Sequence, residues 1–474
     1  MAKLYVFGIG GTGSRVLRSL TMLMAAGVPT QHDIVPIIID PDESAEALTY
    51  VVELMRSYRR IRENLHFDNA TANRFFRGKI KLDKSAANYR LPLQNTKNAK
   101  FGEFIGSRQL DASVRALVST LFSNDNLEAD MAVGFKGNPN IGSVVLNQFA
   151  ESQEFQSFVA DFQSDDRIFI ISSIFGGTGA SGFPLLAKLL RNPTREMAKQ
   201  EYFRTAPIGA LTVLPYFNVS PSEESSIDSA TFIGKAKAAL DYYLGNIIDN
   251  HTVNSFYTIG DIDCPTYDNV EGGAMQKNPA HFIELASALA VLDFDGATLE
   301  EGVTNQYEFG VKDVQGSITS TDLGEQTRAK IQVPLYQFAL LGAYFKKYGR
   351  GGLQGETWAK HAGCDATFFS SSFFSELEHF MDEYHLWLDQ MAHNAVSFAP
   401  IDLDKLSVTP FEALRNQPSK RVMSFEKDFT LLGNYISSQQ GKKNKSDAVR
   451  SVASDMIEYC YRGTREAIQK KLSL

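Results

Sequence analysis

Along the first 300 residues, short apolar runs alternate with segments whose apolar positions recur at helical spacing. Leu4 to Phe7 opens the series, and Val16, Leu17, Leu20, Leu23 and Met24 follow with the three-to-four-residue period of one helix face. The same couple recurs at Ile168 to Ile171, followed by Phe183, Leu185, Leu186, Leu189 and Leu190. Further runs lie at Ile34 to Ile39, Ile208 to Leu214 and Phe256 to Ile259. Apolar runs of this length without polar alternation belong to strands covered on both faces. Strands separated by helices predict an α/β fold with a parallel sheet. Helices are also expected over 43–68, 111–122 and 229–247. Asn278-Pro279 supplies a cap and a first-turn proline for an almost wholly apolar helix running to Leu292. Beyond it, residues 307–311 read as a strand, and 331–344, 373–396 and 451–472 read as helices. Residues 69–111 and the glycine-bearing stretch 346–363 read as loop.

Three of the strand-to-helix junctions are crowded with glycine. The first is Gly8-Ile9-Gly10-Gly11-Thr12-Gly13, and the second runs from Gly134 through Lys136, Gly137, Asn138 and Pro139 to Gly142. The third is Phe175-Gly176-Gly177-Thr178-Gly179-Ala180-Ser181-Gly182, with Pro184 in the first turns of its helix. Such a junction makes an anion site: the first amides of a helix have no intrahelical acceptor, the dipole favours negative charge, and glycine lets a phosphate reach the main chain. The bland alternative is a tight turn in which glycine permits close helix–strand packing. No Gly-Lys-Ser/Thr follows the third loop, so this is not a P-loop. The first loop fits G-x-G-x-x-G, and Asp40 after the second run stands where a dinucleotide fold holds a ribose, so an NAD-dependent oxidoreductase is the rival reading. That rival needs one glycine loop. Three such loops suit a polyphosphate held from several sides, with Lys136 placed to neutralise a terminal phosphate.

Composition narrows the class. The 474 residues are enough for two domains, each with its own core; 43% are hydrophobic and 22% charged, as in a soluble globular protein. A net charge of -8 argues against nucleic acid as a partner. Cys264, Cys364 and Cys460 have neither zinc nor disulfide-framework spacing and read as reduced thiols of a cytoplasmic protein. No apolar stretch is long enough for a membrane span. The arginines at 56, 59, 60 and 62 read as a solvated helix face, and the Phe368-Phe369 and Phe373-Phe374 pairs as core, with a partner surface in the second domain as the alternative.

The three loops, in this order, resemble those of the tubulin and FtsZ superfamily. The stretch Gly176 to Gly182 resembles that family's GGGTGSG signature, with Phe175 at its first glycine. Gly134 to Gly142 resembles its Asn-Pro-x-x-Gly loop. The resemblance covers about the first 300 residues and is that of a divergent prokaryotic member. It implies GTP or GDP, with Mg2+, at the carboxyl ends of the sheet, held by Gly10, Gly11, Thr12, Gly13, Gly137, Asn138, Gly176, Gly177, Thr178, Gly179 and Ala180, with Asp40 near the ribose. Arg15 stands where the family often has a base-reading asparagine. The helix after Asn278 resembles the family's central helix. Phe282 would stack on the base, and Glu284 would accept from guanine N1–H and its amino group. Asp293 and Asp295 would be the carboxylates that activate water at a neighbouring subunit's γ-phosphate, although the family's Asn-x-Asp-x-x-Asp spacing is missing. Glu223 and Glu224 fall in the loop where the family makes ribose and base contacts. The expected organisation is a tubulin/FtsZ-like nucleotide-binding domain over 1–277, a central helix over 278–296 and a second α+β or helical domain over 297–474. The implied activity is GTP binding with head-to-tail self-assembly and slow hydrolysis between subunits of a homo-oligomer or filament; a nucleotide-gated, non-hydrolysing scaffold is the alternative.

Overall fold

The computed structural model describes residues 2–42, 46–82, 89–93, 96, 99–131, 135, 138–195, 197–219, 229–261, 266–267, 278–309, 316–419, 427–440 and 451–474. Its strands are β1 (Lys3–Ile9), β2 (Asp33–Ile39), β3 (Arg167–Ser173), β4 (Ile208–Val213), the two-residue β5 (Asn218–Val219), β6 (Ser255–Ile259), the two-residue β7 (Thr266–Tyr267) and β8 (Asn305–Phe309). The principal helices, numbered here in chain order, are α1 (Gly10–Ala25), α2 (Glu46–Glu63), α3 (Pro139–Leu146), α4 (Gly177–Arg191), α5 (Ser229–Tyr243), α6 (Phe282–Gly296), α7 (Glu325–Gly355), α8 (Ser372–Ala392) and α9 (Val452–Leu472).

Six strands form one sheet in the order β2-β1-β3-β4-β6-β8, every pair parallel. The apolar runs are its interior: β2 is buried at every position, and Leu4 through Ile9 and Ile168 through Ser173 are buried as well. From β1 the chain moves outward to β2, then returns past β1 to lay down β3 on the other side. The carboxyl ends of β1 and β3 are therefore the switch point of the sheet, the place where open α/β folds leave a crevice. β8 joins this same sheet beside β6 (Tyr257 opposite Tyr307), although it follows the central helix.

Several boundaries differ from the sequence expectation. α6 starts at Phe282 with His281 as its cap, four residues after Asn278. The glycines at 349, 351 and 352 lie within α7, not in a loop, and the helix breaks at Gly349, whose φ of 60° no β-branched residue would adopt. α5 ends at Tyr243 in a π turn over Leu244–Ile248.

The helices after β8 pack on the outer side of α1 and α2 and share one continuous apolar core with the sheet, running from Leu4 to Leu472. Trp387, 1% exposed, donates to Ser19 Oγ at 3.3 Å. Tyr50 donates to Glu383 at 2.6 Å, and Phe76 packs on Phe338 and Phe380 at 5.6 and 5.2 Å between ring centres. Burying each such ring contributes on the order of 2–3 kcal/mol, which ties these helices firmly to the sheet layer. Phe373, Phe374 and Trp387 are thus core residues. The arginines of α2 lie in ion pairs with Glu53, Glu63 and Glu376 or, for Arg62, on backbone carbonyls. Cys364 and Cys460 are free and buried; Cys264 falls outside the described residues.

Candidate functional site at the sheet switch point

β1 and β3 lie side by side; β1 turns directly into α1, and β3 leads into α4 through the three residues Ile174, Phe175 and Gly176. The turn after β1 requires φ of +72° at Gly10. A β-carbon there would lie 3.7 Å from Thr178 Cβ and 3.8 Å from Gly179 N, so the first and third glycine loops face one another. α3 joins them: Gly142 lies against Gly177 O, and Leu146 against Gly182, so α3 and α4 run together from a shared end. The caps of α1 and α4 are Ile9 and Gly176, which offer no side-chain acceptor, and neither first turn carries an acidic residue. Ser371 and Ser451, by contrast, cap α8 and α9 through their hydroxyls. The leading amides of α1 and α4 are therefore left to an anion or to water.

The glycines divide by role. A β-carbon at Gly13 would come within 2.6 Å of Gly8 Cα, and one at Gly179 within 2.7 Å of Ser173 O, so these two serve helix–strand packing. At Gly11 the only neighbour among the described residues is the end of the Arg15 side chain, 3.3 Å away at Nη1. Thr12 and Thr178 are buried at the loops, and the Ala180 carbonyl accepts from Tyr243 at 3.0 Å. Asn138 stands at the start of α3. Gly134, Lys136, Gly137, Glu223 and Glu224 lie outside the described residues.

Beside the loops, α1 and α6 meet through charge. Arg15 Nε donates to Glu284 Oε1 at 2.6 Å and Arg18 Nη2 to Glu284 Oε2 at 3.1 Å; the carboxylate is buried. Arg15 Nη2 also reaches Thr12 Oγ1 and Tyr216 OH, both at 3.4 Å. Burial works against the Arg15 charge, yet Tyr216 and Glu284 outweigh it and hold the guanidinium pKa above its ordinary value. Both Glu284 oxygens are engaged, so a guanine edge would have to share them with guanidiniums. Phe282 does not face the crevice: it is 3% exposed and stacked on Phe398 at 4.8 Å, with Phe309 at its edge. The base-stacking place expected of Phe282 is thus taken by the protein's own core. Asp40 sits at the end of β2, accepts from Asp42 N at 3.0 Å, and has its carboxyl pushed up to about 7, chiefly by burial.

Arg18, Tyr216 and His281 belong to this cluster and were missed as site residues by sequence reasoning. Arg18, three residues after Arg15 on one helix, shares its face, and that spacing was the available signal. Tyr216 lies just past β4, and its ring is 4.7 Å from that of His281. His281, expected to pack or cap, caps α6: its Nδ1 accepts from Ile283 N at 3.0 Å.

Asp293 and Asp295 are at the other end of α6, about 14 and 17 Å beyond Glu284 at 1.5 Å per residue, with Asp295 beside the starts of β2 and β3. Asp295 is 2% exposed and accepts from Gln31 N and from His32 Nδ1, the latter at 2.8 Å. Its expected role as a water-activating group is not supported: both oxygens hold the loop before β2. Asp293 is half exposed, accepts from Tyr257 at 2.9 Å and has Lys330 Nζ at 3.8 Å. Neither can reach the chain's own glycine loops. Among the described residues no three His, Cys, Asp or Glu side chains gather as a metal site, and no helix is long and apolar enough to cross a membrane.

No family model matches the chain, and no curated protein sequence matches it. Among solved structures it is similar, at low identity, to CetZ and FtsZ proteins. CetZ from Methanosaeta thermophila is 17% identical over 55% of this chain and 46% of that one, with a TM-score of 0.29. An FtsZ from M. jannaschii is 14% identical over 62% and 54%, with a TM-score of 0.29. CetZ2 from Haloferax volcanii, in a GTPgS-bound protofilament, is 14% identical over 63% and 60%, with a TM-score of 0.28. The chain spans about half the length of the structures it matches.

Proposed function

We propose that this chain is a tubulin-like, cytoplasmic nucleotide-binding protein that takes the phosphates of GTP at the switch point and assembles head to tail. The observation that carries the reading is the convergence of two helix N-termini without side-chain caps, α1 and α4, on the carboxyl ends of adjacent strands. Their amides and the Arg15 guanidinium supply positive potential, and Gly10 and Gly11 allow main-chain approach. Magnesium would enter with the phosphates, which supply most of its oxygen ligands. A dinucleotide reading leaves the α4 loop without a partner.

Head-to-tail contact would bring the amino end of one sheet over the carboxyl end of the next, with Asp293 of one copy facing the phosphates of its neighbour. Asp295 is committed to His32 and Gln31, and this favours a second reading in which nucleotide gates assembly without turnover. Light scattering with GTP and magnesium, run alongside a phosphate-release assay, separates the two. GTP-dependent scattering with phosphate release, lost in Asp293→Ala, supports hydrolysis between copies; scattering without release supports the scaffold; no GTP-dependent scattering sinks assembly.

A further inference from the structure

The cluster joining α1 to α6 has more hydrogen-bond donors than the protein can use. Two guanidiniums share the single carboxylate of Glu284, leaving one positive charge in excess in a place largely closed to water. Arg15 Nη1 lies over Gly11 and has no hydrogen-bond partner among the described residues. Arg18 Nε is buried without one, and so is His281 Nε2. His281 is 3% exposed, and because its Nδ1 accepts from Ile283 N, the neutral ring carries its proton on Nε2. Burial lowers the pKa of that imidazole and favours the neutral ring, so Nε2–H is a buried donor with no acceptor among the described residues. Asp40, whose carboxyl burial pushes up to about 7, feels the guanidiniums of Arg15 and Arg90 and accepts from Asp42 N, but makes no ion pair with Arg15 or Arg18 among the described residues. Tyr216 lies between Arg15 and His281, its hydroxyl 3.4 Å from Arg15 Nη2 and its ring against the imidazole.

We propose that this cluster is the phosphate-chain reader of the site: Arg15 turns its outer N–H groups from Tyr216 and Thr12 to a phosphate oxygen, His281 Nε2–H donates to the same chain, and Arg18 keeps Glu284 neutralised while Arg15 moves. This rests on the nucleotide reading above and adds to it the side chains that read the phosphate chain and how they share the work. Recognition lies in the phosphates, so a nucleoside is not required.

The test uses the full chain, with GTP and inorganic tripolyphosphate as probes, binding measured by titration calorimetry and folding by thermal denaturation. Arg15→Gln is expected to weaken both probes about tenfold, the worth of one charge-assisted hydrogen bond, and Arg15→Lys to recover part of the loss. His281→Asn preserves the cap, because an asparagine oxygen can accept from Ile283 N, and removes the Nε2 donor; both probes should weaken about threefold with the melting temperature within a degree or two. A loss confined to GTP would place Arg15 at the base and overturn the proposal. So would wild-type affinity for tripolyphosphate in both variants. Wild-type protein that binds neither probe sinks the nucleotide reading itself, whereas wild-type binding untouched by both substitutions sinks only this inference.

Discussion

The two ends of α6 make opposite use of buried charge. At its amino end one carboxylate, Glu284, serves two arginines, and donors on Arg15, Arg18 and His281 are left over. At its carboxyl end Asp295 is matched by Gln31 N and His32, and Arg167 donates to the Phe294 and Ala297 carbonyls at 3.0 and 2.9 Å. The paired end has the balance of a structural joint. The unbalanced end is the one we propose to receive an anion, because unsatisfied buried donors are tolerated where something else completes them.

The largest effect should appear at the receptor end and yet concern packing. Gly179→Val drives a side chain into the Ser173 backbone and should abolish the folded state, seen as loss of a cooperative melt, whereas Gly11→Ala meets only a movable arginine tip and should melt within about 1 kcal/mol of wild type. Next come the carboxylates. Asp295→Ala strands the Gln31 amide and His32 in the interior and should cost about 3 kcal/mol by denaturant unfolding, unrelieved by added phosphate. Glu284→Gln should cost a similar amount, but millimolar tripolyphosphate should restore part of it, because the released guanidiniums gain an anion. Equal response to the anion at both ends would erase the distinction drawn between them.

The smallest effect is a pH dependence at Asp40. Its folded carboxyl titrates near 7 against an ordinary 3.8, so the folded chain keeps a proton that the unfolded chain has lost. That contribution to stability is fully present below about pH 4 and is lost as pH rises through 7. Asp40→Asn should therefore gain a few degrees in melting temperature over wild type between pH 5 and pH 8. A constant difference across that range would mean that Asp40 is ionised throughout and offsets the Arg15 charge.

Much of the fold was legible because local pattern and tertiary role agree. β1, β2, β3, β4 and β6 are the apolar runs of the chain, buried on both faces, and Val16 to Met24 mark the buried face of α1. β8 was legible as a strand but not as a member of this sheet, since its exposed Gln306, Tyr307 and Glu308 reflect an edge position that only tertiary pairing reveals. The glycine loops were legible as loops but not by role: Gly11 and Gly179 look alike in sequence, and only the neighbouring Ser173 backbone separates ligand access from packing. At Phe282 and Glu284, expected to contact the base, the sequence does not reveal that Phe398 covers one and two arginines hold the other.

On the function proposed above, the switch-point end binds a nucleotide through its phosphates. Titration calorimetry of the full chain with GTP and magnesium tests it most directly. The account predicts a saturable heat with one GTP per chain, abolished by competing tripolyphosphate; a flat titration, or GTP binding that tripolyphosphate leaves untouched, would contradict it.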